Sequence, residues 1–201
     1  MGYSLDKNCY QFFHQNGFIE FKNLLSSKQV HSLKECINQK QLSSSKVWDK
    51  KGRDLWRSHP SVKSISLNKN LAEVASSLSK KHPIRFGYDQ FISGAIPSKA
   101  QNLIEASSIR KVACGLIIQL EEKDPTCSLS PNHAGDGIFF SPFHPFVLPQ
   151  KCALFLIVYA LKSTLYTLEE RDPNHFFLKE LDYCYGDTLK NPTHPILSKI
   201  Y

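Results

Sequence analysis

Phe12-Phe13-His14-Gln15-Asn16-Gly17-Phe18-Ile19-Glu20-Phe21-Lys22-Asn23-Leu24-Leu25-Ser26 contains a helix end, a strand and a helix start in succession. Leu5, Cys9, Phe12 and Phe13 stand at i, i+4, i+7 and i+8, the repeat of one helix face. Gly17 follows as the residue able to close that helix in the left-handed conformation. Phe18 to Phe21 reads as a short strand. Ser26 with Gln29 three residues on is a capping-box pattern. It opens a second helix that turns Val30, Leu33 and Ile37 to the core.

Working outward, residues 41–58 are polar, basic and serine-rich, and read as a long exposed loop. A third helix starts near Asn68 or Asn70, with Leu71, Val74, Ala75 and Leu78 as its buried stripe. Lys80 and Lys81 suit its negative end, and Pro83 lies just beyond. From Ile84 the pattern becomes β-branched and aromatic. Strands are predicted over Ile84–Ile92, Val112–Leu120, Gly137–Phe140 and Cys152–Leu168, separated by turns at 93–99, 121–136 and 141–150. Asp172-Pro173-Asn174 starts a further turn, a short helix covers Phe176–Leu181, and the tail with Pro192 and Pro195 is irregular. Helices before strands predict an α+β fold. The 201 residues read as one domain, mainly helical over 1–83 and β-rich over 84–201.

The longest apolar run, Cys152 to Leu161, is half the roughly 20 residues a membrane-spanning helix needs. Met1 to Asp6 carries neither an apolar signal segment nor a myristoylation pattern, so a cytoplasmic protein is expected. The six cysteines are scattered with no Cys-x-x-Cys, which argues against a zinc knuckle and for small buried hydrophobes. Residues 1–100 hold 16 Lys and Arg against 7 Asp and Glu, a net of +9, whereas residues 101–201 hold 9 against 11. Lys46, Lys50, Lys51, Arg53 and Arg57, interleaved with Trp48 and Trp56, suggest an acidic partner or nucleic acid; Asp49 and Asp54 dilute the patch.

The opening stretch resembles the entry of the phytanoyl-CoA dioxygenase-like branch of the iron(II)/2-oxoglutarate oxygenases. His59-Pro60, Leu71-Ala72-Glu73-Val74-Ala75, Pro83-Ile84-Arg85-Phe86, Leu116–Leu120 and Gly135-Asp136-Gly137-Ile138-Phe139-Phe140 continue the resemblance, which extends to a short chlamydial protein placed near that family. It implies a double-stranded β-helix, a jelly roll related to cupins. It also implies iron(II) and 2-oxoglutarate as cofactors, the metal held by a His-x-Asp or His-x-Glu pair and a distant histidine.

The residues two places after the eight histidines are Asn16, Leu33, Ser61, Ile84, Gly135, Phe146, Phe177 and Ile196, none of them acidic. The interval 87–110, where the resemblance sets the pair, holds Asp89 and Glu105 but no histidine. His144 matches the distal histidine, and Lys151 and Lys162 only bracket the position of the cosubstrate anchor. Three readings follow: a degenerate site on a binding or regulatory scaffold; an oxygenase with its metal site rebuilt from His133, Asp136 and His144; and a metal-responsive, basic nucleic-acid-binding regulator. No zincin motif, dinucleotide loop, phosphate loop or nucleophile elbow is present. Cys114 and Cys152 lie in apolar strands that disfavour a thiolate. Tyr183-Cys184-Tyr185-Gly186-Asp187 reads as a packed aromatic turn.

Overall fold

The computed structural model describes residues 5–40, 42, 48, 50–93, 100–121, 131, 133–145 and 153–198. Helix α1, Lys7–Asn16, starts where the Asp6 carboxylate accepts the amide of Cys9. It stops where Gly17, at φ +78°, donates its N–H to the Phe13 carbonyl at 2.8 Å. Phe13 is buried, but Phe12, predicted on the same inner face, is 45% exposed. Adjacent residues lie about 100° apart on a helix; here Phe13 takes the core side, and Phe12 lies at its margin and meets Phe18 edge-on at 5.9 Å.

Strand β1, Phe18–Phe21, follows, and then α2, Ser27–Gln39, with the predicted capping box formed by Ser26 and Gln29. Helix α3, Pro60–Ser66, was not anticipated by the periodicity; Pro60 starts it, and Val62 and Ile65 fix it to the core. Helix α4, Lys69–Ser79, is capped by Asn68 as expected. The strands are β2, Ile84–Ile92; β3, Val112–Gln119; β4, Gly137–Phe140; and β5, Leu154–Leu161. Strand β5 ends seven residues before Leu168, because the hydroxyl of Thr164 bonds the Leu161 carbonyl at 2.6 Å and turns the chain. Beyond it, Leu165 and Tyr166 make only isolated bridges, to Thr188 and Ile109.

All neighbours in the sheet, ordered β1-β4-β3-β5-β2, are antiparallel. Strands β2, β3 and β4 are buried along their whole length; β3 and β4 read accordingly as near-continuous apolar runs, whereas β2 carries Arg85, Asp89 and Gln90 inside. The helices cover one face through Leu33, Leu71, Ala75 and Leu78 against Phe86, Leu116 and Tyr159. The other face packs Tyr88, Ile117, Phe140 and Leu156 against Leu103, Ile109, Tyr166 and Leu178.

The stretch 41–58 departs from the exposed loop expected. Leu42, Trp48, Leu55 and Trp56 are buried, and short 3-10 turns form at Lys50–Gly52 and Leu55–Arg57. The chain is pinned there by Asp89, whose carboxylate accepts the amides of Leu55 at 2.7 Å and Trp56 at 3.2 Å. Part of the basic patch goes inward with it, while Lys50 and Lys51 stay exposed. Arg53 is buried, Arg57 pairs with Asp54 and Lys50 with Glu180; Lys46 and Asp49 lie outside the described residues. No helix among the described residues is long and apolar enough to cross a membrane.

Candidate functional site

His133 and Asp136 meet in the turn that leads into β4. Asp136 is 2% exposed. Its two oxygens accept the amides of Asn23 at 2.7 Å and of His133 at 3.2 Å, which ties this turn to the end of β1. His144 lies in the turn after β4. Its amide bonds the Ser141 carbonyl at 2.9 Å, and its ring stands 5.2 Å from that of Phe18. Burial holds the imidazole below its ordinary pKa, against the carbonyl of Asn16, which favours the proton.

The four residues of β4 separate these two groups. At about 3.3 Å per residue that is roughly 13 Å, far beyond the reach of one metal ion. The rebuilt site at His133, Asp136 and His144 is therefore not assembled. All eight histidines lie within the described residues, and among those residues no group of three or more His, Cys, Asp or Glu could hold a metal ion. These residues do not fit iron(II).

The described residues of the interval 87–110 serve packing. A bulge between Phe86 and Tyr88 resets the alternation of β2, so these two residues, two apart, face opposite layers, and Asp89 follows on the side of Phe86. Asp89 turns toward the helices and also accepts the hydroxyl of Ser66 at 2.8 Å. Burial, together with the charge of Asp54, pushes its pKa up to about 7. Glu105 accepts the amide of Gln101 at 2.8 Å and pairs with Arg171 at 2.9 Å. Leu103, Ala106 and Ile109 pack apolar surface onto the face of the sheet away from the helices. Lys162 lines a cleft of about 480 Å³ with His82, Pro83, Leu161, Ser163 and Thr188; Lys151 lies outside the described residues.

Inside the fold is a polar cluster that the sequence reading missed. The guanidinium of Arg53 lies 3.2 Å from the centroid of the Tyr88 ring. Tyr88 bonds Ser107 through its hydroxyl, and Asn174 donates to Gln90 Oε1 at 3.2 Å. Asp172 accepts the amides of Ser108 at 2.8 Å and Asn174 at 2.9 Å. Nearby, Arg85 donates to the carbonyls of Leu189 and His194, and Arg57 to that of Thr193 at 2.8 Å. His194 is wholly buried; burial, then Arg57, Arg85 and Arg53, push its pKa down to about 3. The usable signal was Trp48, Leu55 and Trp56, apolar anchors spaced through a basic segment, which mark a stretch drawn into the core.

No family model matches the chain, and no curated protein matches it in sequence. Solved structures do. The non-heme α-ketoglutarate-dependent carbocyclase SnoK of nogalamycin biosynthesis is similar, with a TM-score of 0.75 at 13% identity over 96% of this chain and 97% of that one. HygX from Streptomyces hygroscopicus, solved with nickel and 2-oxoglutarate, gives 0.58 at 12% identity over 92% and 98%. CT296 from Chlamydia trachomatis gives 0.53 at 18% identity over 80% and 97%. The chain has the double-stranded β-helix fold of the iron(II)/2-oxoglutarate oxygenases, with N-terminal helices packed on the sheet.

Proposed function

We propose that this chain is an oxygenase-fold protein of the phytanoyl-CoA dioxygenase-like branch whose metal site has degenerated, and whose scaffold serves as a binding or regulatory module. The observation that carries the reading is His144. At the position the resemblance reserves for the distal ligand, its ring packs on Phe18 and closes over Gly17, with no second histidine or carboxylate joining it in a metal-holding group among the described residues. In this reading the chain is one domain, with helices of the first part and strands of the second sharing one core. It also takes the protein as cytoplasmic, supported by free thiols at Cys9, Cys36, Cys114 and Cys184.

Anaerobic iron(II) titration and an assay for 2-oxoglutarate-dependent succinate formation test the reading. Neither stoichiometric iron nor succinate is expected. Stoichiometric iron together with cosubstrate turnover would overturn it.

A further inference from the structure

Buried guanidinium groups normally face carboxylates, because an ion removed from water without a counter-charge is strongly disfavoured. Arg53 is 6% exposed and Arg85 4%. Arg57 takes the carboxylate of Asp54, Nε to Oδ2 at 2.8 Å, and the same carboxylate acts on Arg53 only through space, without an ion pair. Asp172 is engaged by two backbone amides. Among the described residues, neither Arg53 nor Arg85 is ion-paired. Arg85 rests on two carbonyls, and its Nε has no hydrogen-bond partner. Arg53 has two such nitrogens, Nε and Nη1, although its plane is stacked on Tyr88 with Phe177 at 6.0 Å. The stack offsets part of the desolvation of the cation and brings it against the Tyr88 hydroxyl, but it leaves Nε and Nη1 without a partner. His194, with Nε2 unpartnered, is a neutral neighbour and supplies no negative charge.

We propose that Arg53, seated on Tyr88, is the anchor of a binding site for a compact oxyanion, the carboxylate or phosphate group of a small molecule. The site deepens the binding role proposed above and rests on that reading. A guanidinium presents planar, charge-assisted donors to such a group, and a low-dielectric surrounding strengthens each of those bonds. The stack on Tyr88 holds the fork in place before the anion arrives, which lowers the ordering cost of binding.

The test uses the full chain with a chelator present, so that metal plays no part. Thermal melting and calorimetric titration are run with inorganic phosphate, with sulfate and with succinate, each against chloride at equal ionic strength. Phosphate and sulfate represent the one source of the charge and succinate the other. A saturable rise in melting temperature with at least one of them is expected. In Arg53→Met, which keeps an apolar stem beside Tyr88, that anion should bind at least about tenfold more weakly, the loss of one charge-assisted hydrogen bond. If Arg53→Met does not fold, Arg53→Lys takes its place; it keeps the charge but loses the planar fork, and weaker binding of the same anion is expected. Absence of any saturable response beyond chloride in the unaltered chain overturns the site, as does equal binding by the unaltered chain and the folded variant. Failure here leaves the iron-free reading intact, whereas iron-dependent succinate formation would remove that reading and leave the anion result standing.

Discussion

His144 closes over Gly17 so tightly that a Cβ on the glycine would lie 2.8 Å from its Nδ1. Gly17 is also at φ +78°, so two separate constraints meet at one residue. Gly17→Ala should destabilise the fold by about 1–2 kcal/mol from backbone strain alone, with the clash added. His144→Ala should relieve the clash and leave the strain. Urea unfolding of both single variants and of the double variant measures this, and a coupling of about 0.5 kcal/mol or more is expected. Strict additivity would show that the ring is not held against the turn.

Gly115 has a different constraint. A Cβ there would clash with Cζ and Cε1 of Phe140 and lie 2.9 Å from Cδ2 of Leu103. Gly115→Ala is expected to cost about 1–3 kcal/mol by overpacking. Phe140→Leu in the same chain should recover part of that loss in thermal melting, since it shortens the group that is struck.

Asp89 sets a pH dependence. Its folded pKa is raised from 3.8 to about 7, chiefly by burial and then by Asp54. An acid with a raised folded pKa binds its proton more tightly in the folded state. The stability it contributes is thus complete below about pH 4 and is lost as pH rises through about 7. Compared with Asp89→Asn, the unaltered protein should gain relative stability when pH falls from 7.5 to 5. Urea midpoints across that range check the sign; parallel profiles would show that Asp89 does not titrate there.

Asp136→Ala removes the acceptor of the Asn23 and His133 amides. Leaving those donors without a partner should cost about 1–3 kcal/mol, read as a lower melting temperature. Iron(II) affinity should be the same in the variant and the unaltered chain, because the carboxylate holds a turn. Iron binding that depends on Asp136 would restore the rebuilt-site reading.

Much of the fold was legible because its signals are local. Gly17 closes α1, Ser26 with Gln29 opens α2, Asn68 opens α4, and the β-branched and aromatic runs mark β2, β3 and β4 to within a residue, while β5 ends well before the expected Leu168. The absence of a His-x-Asp or His-x-Glu is likewise written in the chain. Where the polar groups go is decided at long range. Asp136 acts on an amide 113 residues away, Arg85 on a carbonyl 109 away and Asp89 on an amide 34 away. Period and composition describe a segment and its near neighbours, so a basic, serine-rich stretch reads as solvated. Only packing against β2 reveals that Asp89 draws Leu55 and Trp56 inward. That same packing carries Arg53 from a supposed surface patch onto the ring of Tyr88, where a charge must find its partner away from bulk water.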